Sequence, residues 1–138
     1  MARLRRTLFL VAAALSLSTA GCRRPAGPAE SYRAFAAAAR AGDADAVWAH
    51  VATRSRAVLD ARAKDVAARA AGVVPPSGKE LVLGDLAAAS ARIRAVTVLR
   101  ESRDAAVVSV EEEGRTGARE VSLVREGGVW RVVLPFDN

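Results

Sequence analysis

RIRAVTVLR ESRDAAVVSV EEEGRTGARE VSLVREGGVW RVVL, residues Arg92 to Leu134, is the stretch on which the fold turns. Its apolar residues recur with a period of two, and three turn signals divide it into four runs: Ser102-Arg103-Asp104, Gly114-Arg115-Thr116-Gly117 and Gly127-Gly128. The pattern predicts a four-stranded antiparallel meander. A two-residue turn at Gly127-Gly128 sets Trp130, Val132 and Leu134 opposite Arg125, Leu123 and Val121, gathering one mostly apolar face. The first hairpin sets Arg94 near Glu111 and Arg92 near Glu113, with Ala106, Val108 and Val110 turned to the other side. The run Glu111-Glu112-Glu113 is then a solvated strand end rather than a metal site. Ile93 and Ala95 alternate with Arg92 and Arg94, whereas Val96 and Val98 continue in the opposite phase, so a bulge is expected near Ala95.

Working back toward the N-terminus, the period lengthens to that of helices. Glu30 to Ala41 is alanine-rich, carries Tyr32 and Phe35, and stops at Gly42; Asp43 caps a second helix from Ala44 to about Val51, with Val47, Trp48 and Val51 at helical spacing. Thr53 or Ser55 caps a third helix to about Ala71, with Leu59, Ala63, Val66 and Ala70 along one stripe. Asp60 with Lys64, and Asp65 with Arg69, are spaced for surface ion pairs. Gly72 to Gly78 forms a break, and in the ambiguous stretch Leu81 to Ala91, Asp85 is a candidate cap for one helical turn.

Before Glu30 the composition changes in kind. Arg3, Arg5 and Arg6 precede a 14-residue apolar run, Thr7 to Ala20, and no acidic residue occurs until Glu30. This is the charged region and apolar region of an export signal, and the run is too short for a spanning helix of ~20 residues. The expected organisation is a leader at 1–21, a modified cysteine with linker at 22–29, and one α+β domain at 30–138. Across 138 residues the net charge is +6, but removal of the leader's three arginines leaves +3, with the remaining bases interleaved among acids, which argues against nucleic acid as a partner. Hydrophobic residues make up 51%, yet 32 of them are alanine, so the core rests on the larger apolar side chains, most of which follow Gly72. A single Cys and a single His exclude a structural zinc site and an internal disulfide. No cofactor motif is present: Gly72 to Gly78-Lys79 lacks the Ser or Thr of a phosphate loop.

Leu17-Ser18-Thr19-Ala20-Gly21-Cys22 resembles the lipobox of bacterial lipoproteins, in which signal peptidase II cuts before a cysteine that becomes diacylglyceryl-modified. Ala20, Gly21 and Cys22 match it; Thr19 stands where that family usually has Leu. An ordinary leader cut after Ala20 is the alternative. The lipoprotein resemblance implies a membrane anchor through Cys22, and Arg23 rather than Asp after the cysteine implies the outer membrane, facing the periplasm.

The opening helix, the Ala41-Gly42-Asp43 break, the short helix with Trp48, the third helix and a curved meander ending Gly128-Val129-Trp130-Arg131-Val132 together resemble the nuclear transport factor two-like superfamily. That is the cone-shaped α+β fold, helices on a curved four-stranded antiparallel sheet, shared with ketosteroid isomerase, scytalone dehydratase and SnoaL-like cyclases. The resemblance covers about Glu30 to Phe136. It implies a cavity between sheet and helices, here walled by Phe35, Trp48, Trp130, Val132 and Leu134, and an outer sheet face with Ser122, Val124, Arg131 and Val133 that serves some members for homodimer contacts. The catalytic Tyr of ketosteroid isomerase falls on Phe35, which has no hydroxyl, so no catalytic residue is carried over. His50 lacks a carboxylate partner in sequence, and Tyr32 is taken as a helix anchor. The expected function is a membrane-tethered envelope module that binds an apolar small molecule or a protein partner without catalysis. The alternatives are a SnoaL-like isomerase, dehydratase or hydrolase, and a structural or assembly subunit.

Overall fold

A computed structural model describes residues 24–70, 77–87 and 92–135, and the leader, Cys22 and the Gly72–Pro76 break lie outside the described residues. Four helices, α1 (Pro28–Ala41), α2 (Ala44–His50), α3 (Thr53–Arg69) and α4 (Gly78–Ala87), precede four strands, β1 (Ile93–Glu101), β2 (Ala105–Glu112), β3 (Ala118–Glu126) and β4 (Val129–Val132). The strands form one antiparallel sheet in the order β1-β2-β3-β4. The fold class is therefore α+β, with helices first and a meander after.

Helix α1 begins two residues ahead of Glu30, because Pro28 occupies the first helical position, where a missing N–H costs nothing, and the Glu30 carboxylate accepts from the Gly27 N–H at 3.3 Å. It ends where Gly42 adopts a left-handed φ of 68° and the Asp43 N–H returns to the Ala38 carbonyl at 3.1 Å. Asp43 then caps α2 as expected, its carboxylate accepting from Ala46 N–H at 3.0 Å. Ser31, Tyr32, Phe35 and Ala39 share the inner face of α1 and pack on the sheet.

The start of α3 departs from the sequence expectation. Neither Thr53 nor Ser55 is its cap: Ala52 holds that position, and the Glu126 carboxylate, from the end of β3, accepts from the Thr53 N–H at 3.0 Å and from its hydroxyl at 2.8 Å. Ser55 is instead fully buried, its hydroxyl accepting from the Leu134 N–H at 3.0 Å. Leu59 and Ala63 are buried as the stripe requires, whereas Val66 is 43% exposed. The Asp60–Lys64 and Asp65–Arg69 ion pairs are not among those formed between described residues.

Helix α4 starts at Gly78, so Asp85 lies within it rather than at its cap. A reciprocal box opens it: Glu80 N–H donates to the Ser77 hydroxyl at 3.2 Å, and Ser77 N–H donates to the Glu80 carboxylate at 2.8 Å. Gly78 allows α4 to lie directly on α3, since a Cβ there would sit 2.8 Å from the Asp60 backbone nitrogen and 2.9 Å from the Leu59 carbonyl carbon.

In the sheet, Arg125 faces Trp130 and Leu123 faces Val132, the expected register, with Gly127 and Gly128 at φ of 58° and 83° in the turn. The bulge near Ala95 is present between Ile93 and Ala95. It moves Ala95, not Arg94, opposite Glu111, while Glu113 N–H bonds the Arg92 carbonyl at 2.8 Å. A second irregularity, unforeseen in the sequence, falls between Val98 and Arg100. Two bulges in one edge strand disrupt the row of free backbone groups that would otherwise template another strand. At the opposite edge the Ala52 N–H reaches the Val132 carbonyl at 2.9 Å, so the α2–α3 connection partly covers β4.

Candidate functional site

Strand lengths create the site. β3 has nine residues and β4 four, so β4 pairs only with Leu123 to Glu126, and the N-terminal half of β3, paired with β2 on one side, has no neighbouring strand on the other. After Val132 the chain leaves the sheet: Val133 N–H still bonds the Ser122 carbonyl at 2.9 Å, and Leu134 N–H is drawn to Ser55. The space left between this departing segment, α1, α4 and the β2–β3 hairpin is a cleft of about 490 Å³. Its apolar walls include Phe35, Val82, Leu86, Val121, Val132 and Leu134. The volume is within the ~300 to 1,000 Å³ of small-molecule sites.

A polar cluster closes one end of the cleft. Ala106, Val108 and Val110 alternate inward along β2, and Glu112 continues that parity, so its side chain is carried inside and is only 6% exposed. The solvated strand end expected for the Glu111-Glu112-Glu113 run is thus corrected at its middle residue. Arg119 lies opposite Val110, on the same face as Glu112, and reaches it diagonally across the hairpin. Its Nε and Nη2 donate to Glu112 Oε1 at 3.1 and 2.9 Å. Arg115 Nε stands 3.4 Å from Glu112 Oε2. Both carboxylate oxygens are thereby engaged, as burial of a charged group requires.

Arg119 Nη2 also donates to the Tyr32 hydroxyl, and its guanidinium lies 5.7 Å from the Tyr32 ring centroid. Tyr32 is 2% exposed. Burial pushes its phenol above the ordinary 10.0; the nearby Arg119 charge opposes that shift and the Glu112 charge adds to it. Near neutral pH the phenol keeps its proton. Since its oxygen already accepts from Arg119, that proton is available to an acceptor in the cleft.

Of the five residues expected to wall a cavity, Phe35, Val132 and Leu134 line this cleft, and Trp48 and Trp130 do not. Trp130 is buried in the core at the far end of the β3–β4 hairpin, with the Arg125 guanidinium 5.8 Å from its ring centroid. Trp48 is half-buried beneath Arg56, 5.6 Å away. Cys22, the expected lipidation site, lies outside the described residues. His50 does not line the cleft and bonds no carboxylate among the described residues; burial, then the Arg131 charge, holds its imidazole below the ordinary 6.5. Glu112, Arg115, Arg119 and Tyr32 went unrecognised as a group in the sequence. The alternation from Ala106 onward was the signal for Glu112, and the hairpin register for Arg119.

A second polar cluster is a latch. Arg56 Nε donates to the Val51 carbonyl at 2.9 Å, Arg131 donates to the Ala49 carbonyl, and Arg131 Nε lies 3.2 Å from the Glu126 carboxylate that holds Thr53. These bonds tie the α2–α3 connection to the β3–β4 hairpin and satisfy carbonyls left open by the end of α2. A shallower groove of about 300 Å³ runs between α3 and α4, bordered by Leu59, Val66, Leu81 and the charged Arg62, Asp65 and Arg69. Among the described residues no three His, Cys, Asp or Glu side chains are grouped to hold a metal ion, and no described helix is long and apolar enough to cross a membrane. No family model, no curated protein and no solved structure matches the chain.

Proposed function

We propose that this protein is an exported lipoprotein, anchored through Cys22 to the periplasmic face of the outer membrane, whose domain has the nuclear transport factor two-like cone and binds an apolar small molecule without catalysis. The cleft carries this reading: about 490 Å³ of space is walled by apolar side chains from two helices, two strands and the segment after β4. The helix-then-meander order, the bulged β1 and the opening between sheet and helices support the cone. The leader, the Ala20-Gly21-Cys22 match and the short linker support the anchor. Between Cys22 and Pro28 the chain spans at most about 20 Å, which would keep the domain close to the bilayer.

The engagement of Glu112 favours binding over catalysis. A general base needs a free lone pair directed at the substrate, and both Glu112 oxygens face guanidinium groups instead. A second reading, a SnoaL-like isomerase or dehydratase, has one observation in its favour. The Tyr32 hydroxyl, one helical turn before Phe35, offers a proton at the polar end of the cleft.

Two experiments test the proposal. The neutral dye N-phenyl-1-naphthylamine should bind the protein at one saturable site and be displaced when Leu86→Trp fills the cleft; unsaturable or unchanged binding contradicts it. Fatty-acid labelling in cells should mark the wild-type chain and leave Cys22→Ser unlabelled and released from the membrane. A Cys22→Ser chain that is processed normally and stays membrane-bound rules out the anchor.

A further inference from the structure

The cleft is not uniformly apolar, and the asymmetry bears on what it would hold. One end presents two guanidinium groups, Arg115 and Arg119, against one buried carboxylate, Glu112. The other carboxylate on the lining, Glu120, pairs across the sheet with Arg100 at 3.3 Å. One positive charge is thus left over beside the apolar walls. The donors are also incompletely used. Arg115 approaches Glu112 through Nε, and its terminal nitrogens bond no other described residue. The Tyr32 hydroxyl accepts from Arg119 and retains its own proton. Side-chain exposures of 61% for Arg115 and 47% for Arg119 leave both guanidinium groups open to a ligand.

We propose that the cleft takes a small amphipathic monoanion, a carboxylate on an apolar body. The carboxylate would accept from the terminal nitrogens of Arg115, from Arg119 Nη1, which bonds neither Glu112 nor Tyr32, and from the Tyr32 hydroxyl, and the body would lie along Phe35, Val82, Leu86 and Val121. Guanidinium suits a carboxylate because its parallel N–H bonds match two oxygens, and such charge-assisted bonds are stronger than neutral ones. Glu112 has a positioning role: it holds the Arg119 guanidinium beside Tyr32 and removes the charge excess that would otherwise favour a dianion. The inference rests on the binding reading of the cleft proposed above and narrows it to one chemical class.

The test uses the full chain in lipid nanodiscs, with empty nanodiscs as the blank, and two soluble probes of matched shape, 4-phenylbutyrate and 4-phenyl-1-butanol. Dissociation constants follow from methyl NMR titration. The acid should bind roughly tenfold more tightly than the alcohol. Arg115→Gln, which alters an exposed side chain outside the core, should reduce that preference to within about threefold, and Arg119→Lys, which keeps the charge and loses the planar fork, should reduce it partially. Raising the salt concentration should weaken the acid and leave the alcohol unchanged. If the two probes bind equally, or if Arg115→Gln leaves the preference intact, the anion inference fails while the apolar-binding reading stands. If neither probe binds, the anion inference fails, and if the neutral dye does not bind either, the apolar-binding reading fails with it.

Discussion

Replacing Glu112 by glutamine removes the negative charge from a side chain that is 6% exposed and leaves Arg119 and Arg115 facing a neutral amide. Breaking a fully buried ion pair by removing one partner costs about 3 to 5 kcal/mol. Here both arginines reach solvent, and water would rehydrate the stranded cations, which lowers the expected cost to roughly 1 to 2 kcal/mol. For a domain of this size that is a fall in Tm of about 3 to 8 °C. Urea unfolding followed by tryptophan fluorescence should show a lower midpoint with an unchanged slope. Combined with Arg119→Gln, the double mutant should lose less than the sum of the two single losses, because the two side chains share two hydrogen bonds. A loss below about 0.3 kcal/mol for Glu112→Gln, the usual scale of exposed substitutions, would return Glu112 to a solvated strand end and dissolve the polar end of the cleft.

Trp130 is 3% exposed, and Trp130→Ala should cost about 3 to 5 kcal/mol in the same unfolding assay; a near-neutral result would mean that the ring is not in the core. Tyr32 is the only tyrosine of the chain, so its ultraviolet titration reads that residue alone, and the midpoint of the phenolate band should lie above pH 10.0. A midpoint at or below that pH would contradict the buried position. For His50, a folded pKa below 6.5 means that the unfolded chain takes up the proton first as pH falls. Its contribution is therefore fully present above about pH 6.5 and is lost as pH drops through the folded value, so His50→Gln should flatten the stability profile between neutral and mildly acid pH. An unchanged profile would mean that neither burial nor Arg131 depresses the His50 imidazole in the folded chain.

Local chemistry explains which parts of the molecule were legible in sequence. Gly127-Gly128 and the alternation on either side of it define a turn, a register and an inward face within a dozen residues, and the bulge at Ala95 is a local phase change. Gly42-Asp43 likewise marks both ends of a helix break. The start of α4 was equally local, in Ser77 and Glu80, but the prolines before it and the apolar run after it obscured the box. The bonds that depend on distant residues were out of reach: Glu126 with Thr53, and Ser55 with Leu134, join positions more than seventy residues apart. Glu112 was masked by its neighbours, since three consecutive acids suggest solvent even where the strand's parity turns the middle one inward. Trp48 and Trp130 show the other boundary. Size and hydrophobicity indicate burial, but whether a buried ring meets a cavity or a packed core depends on strand lengths, and here the short β4 opened the sheet beside Phe35 rather than beside either tryptophan.

The most direct test of the cleft as a binding site is a methyl NMR titration of the valine-labelled full chain in nanodiscs with 4-phenylbutyrate. Val82, Val121 and Val132, which line the cleft, should shift progressively and saturate together, while Val47 in the core and Val107 and Val124, on strand positions turned away from the helices, stay in place. No saturable shift at the first three, or shifts confined to Val107 and Val124, would contradict the account.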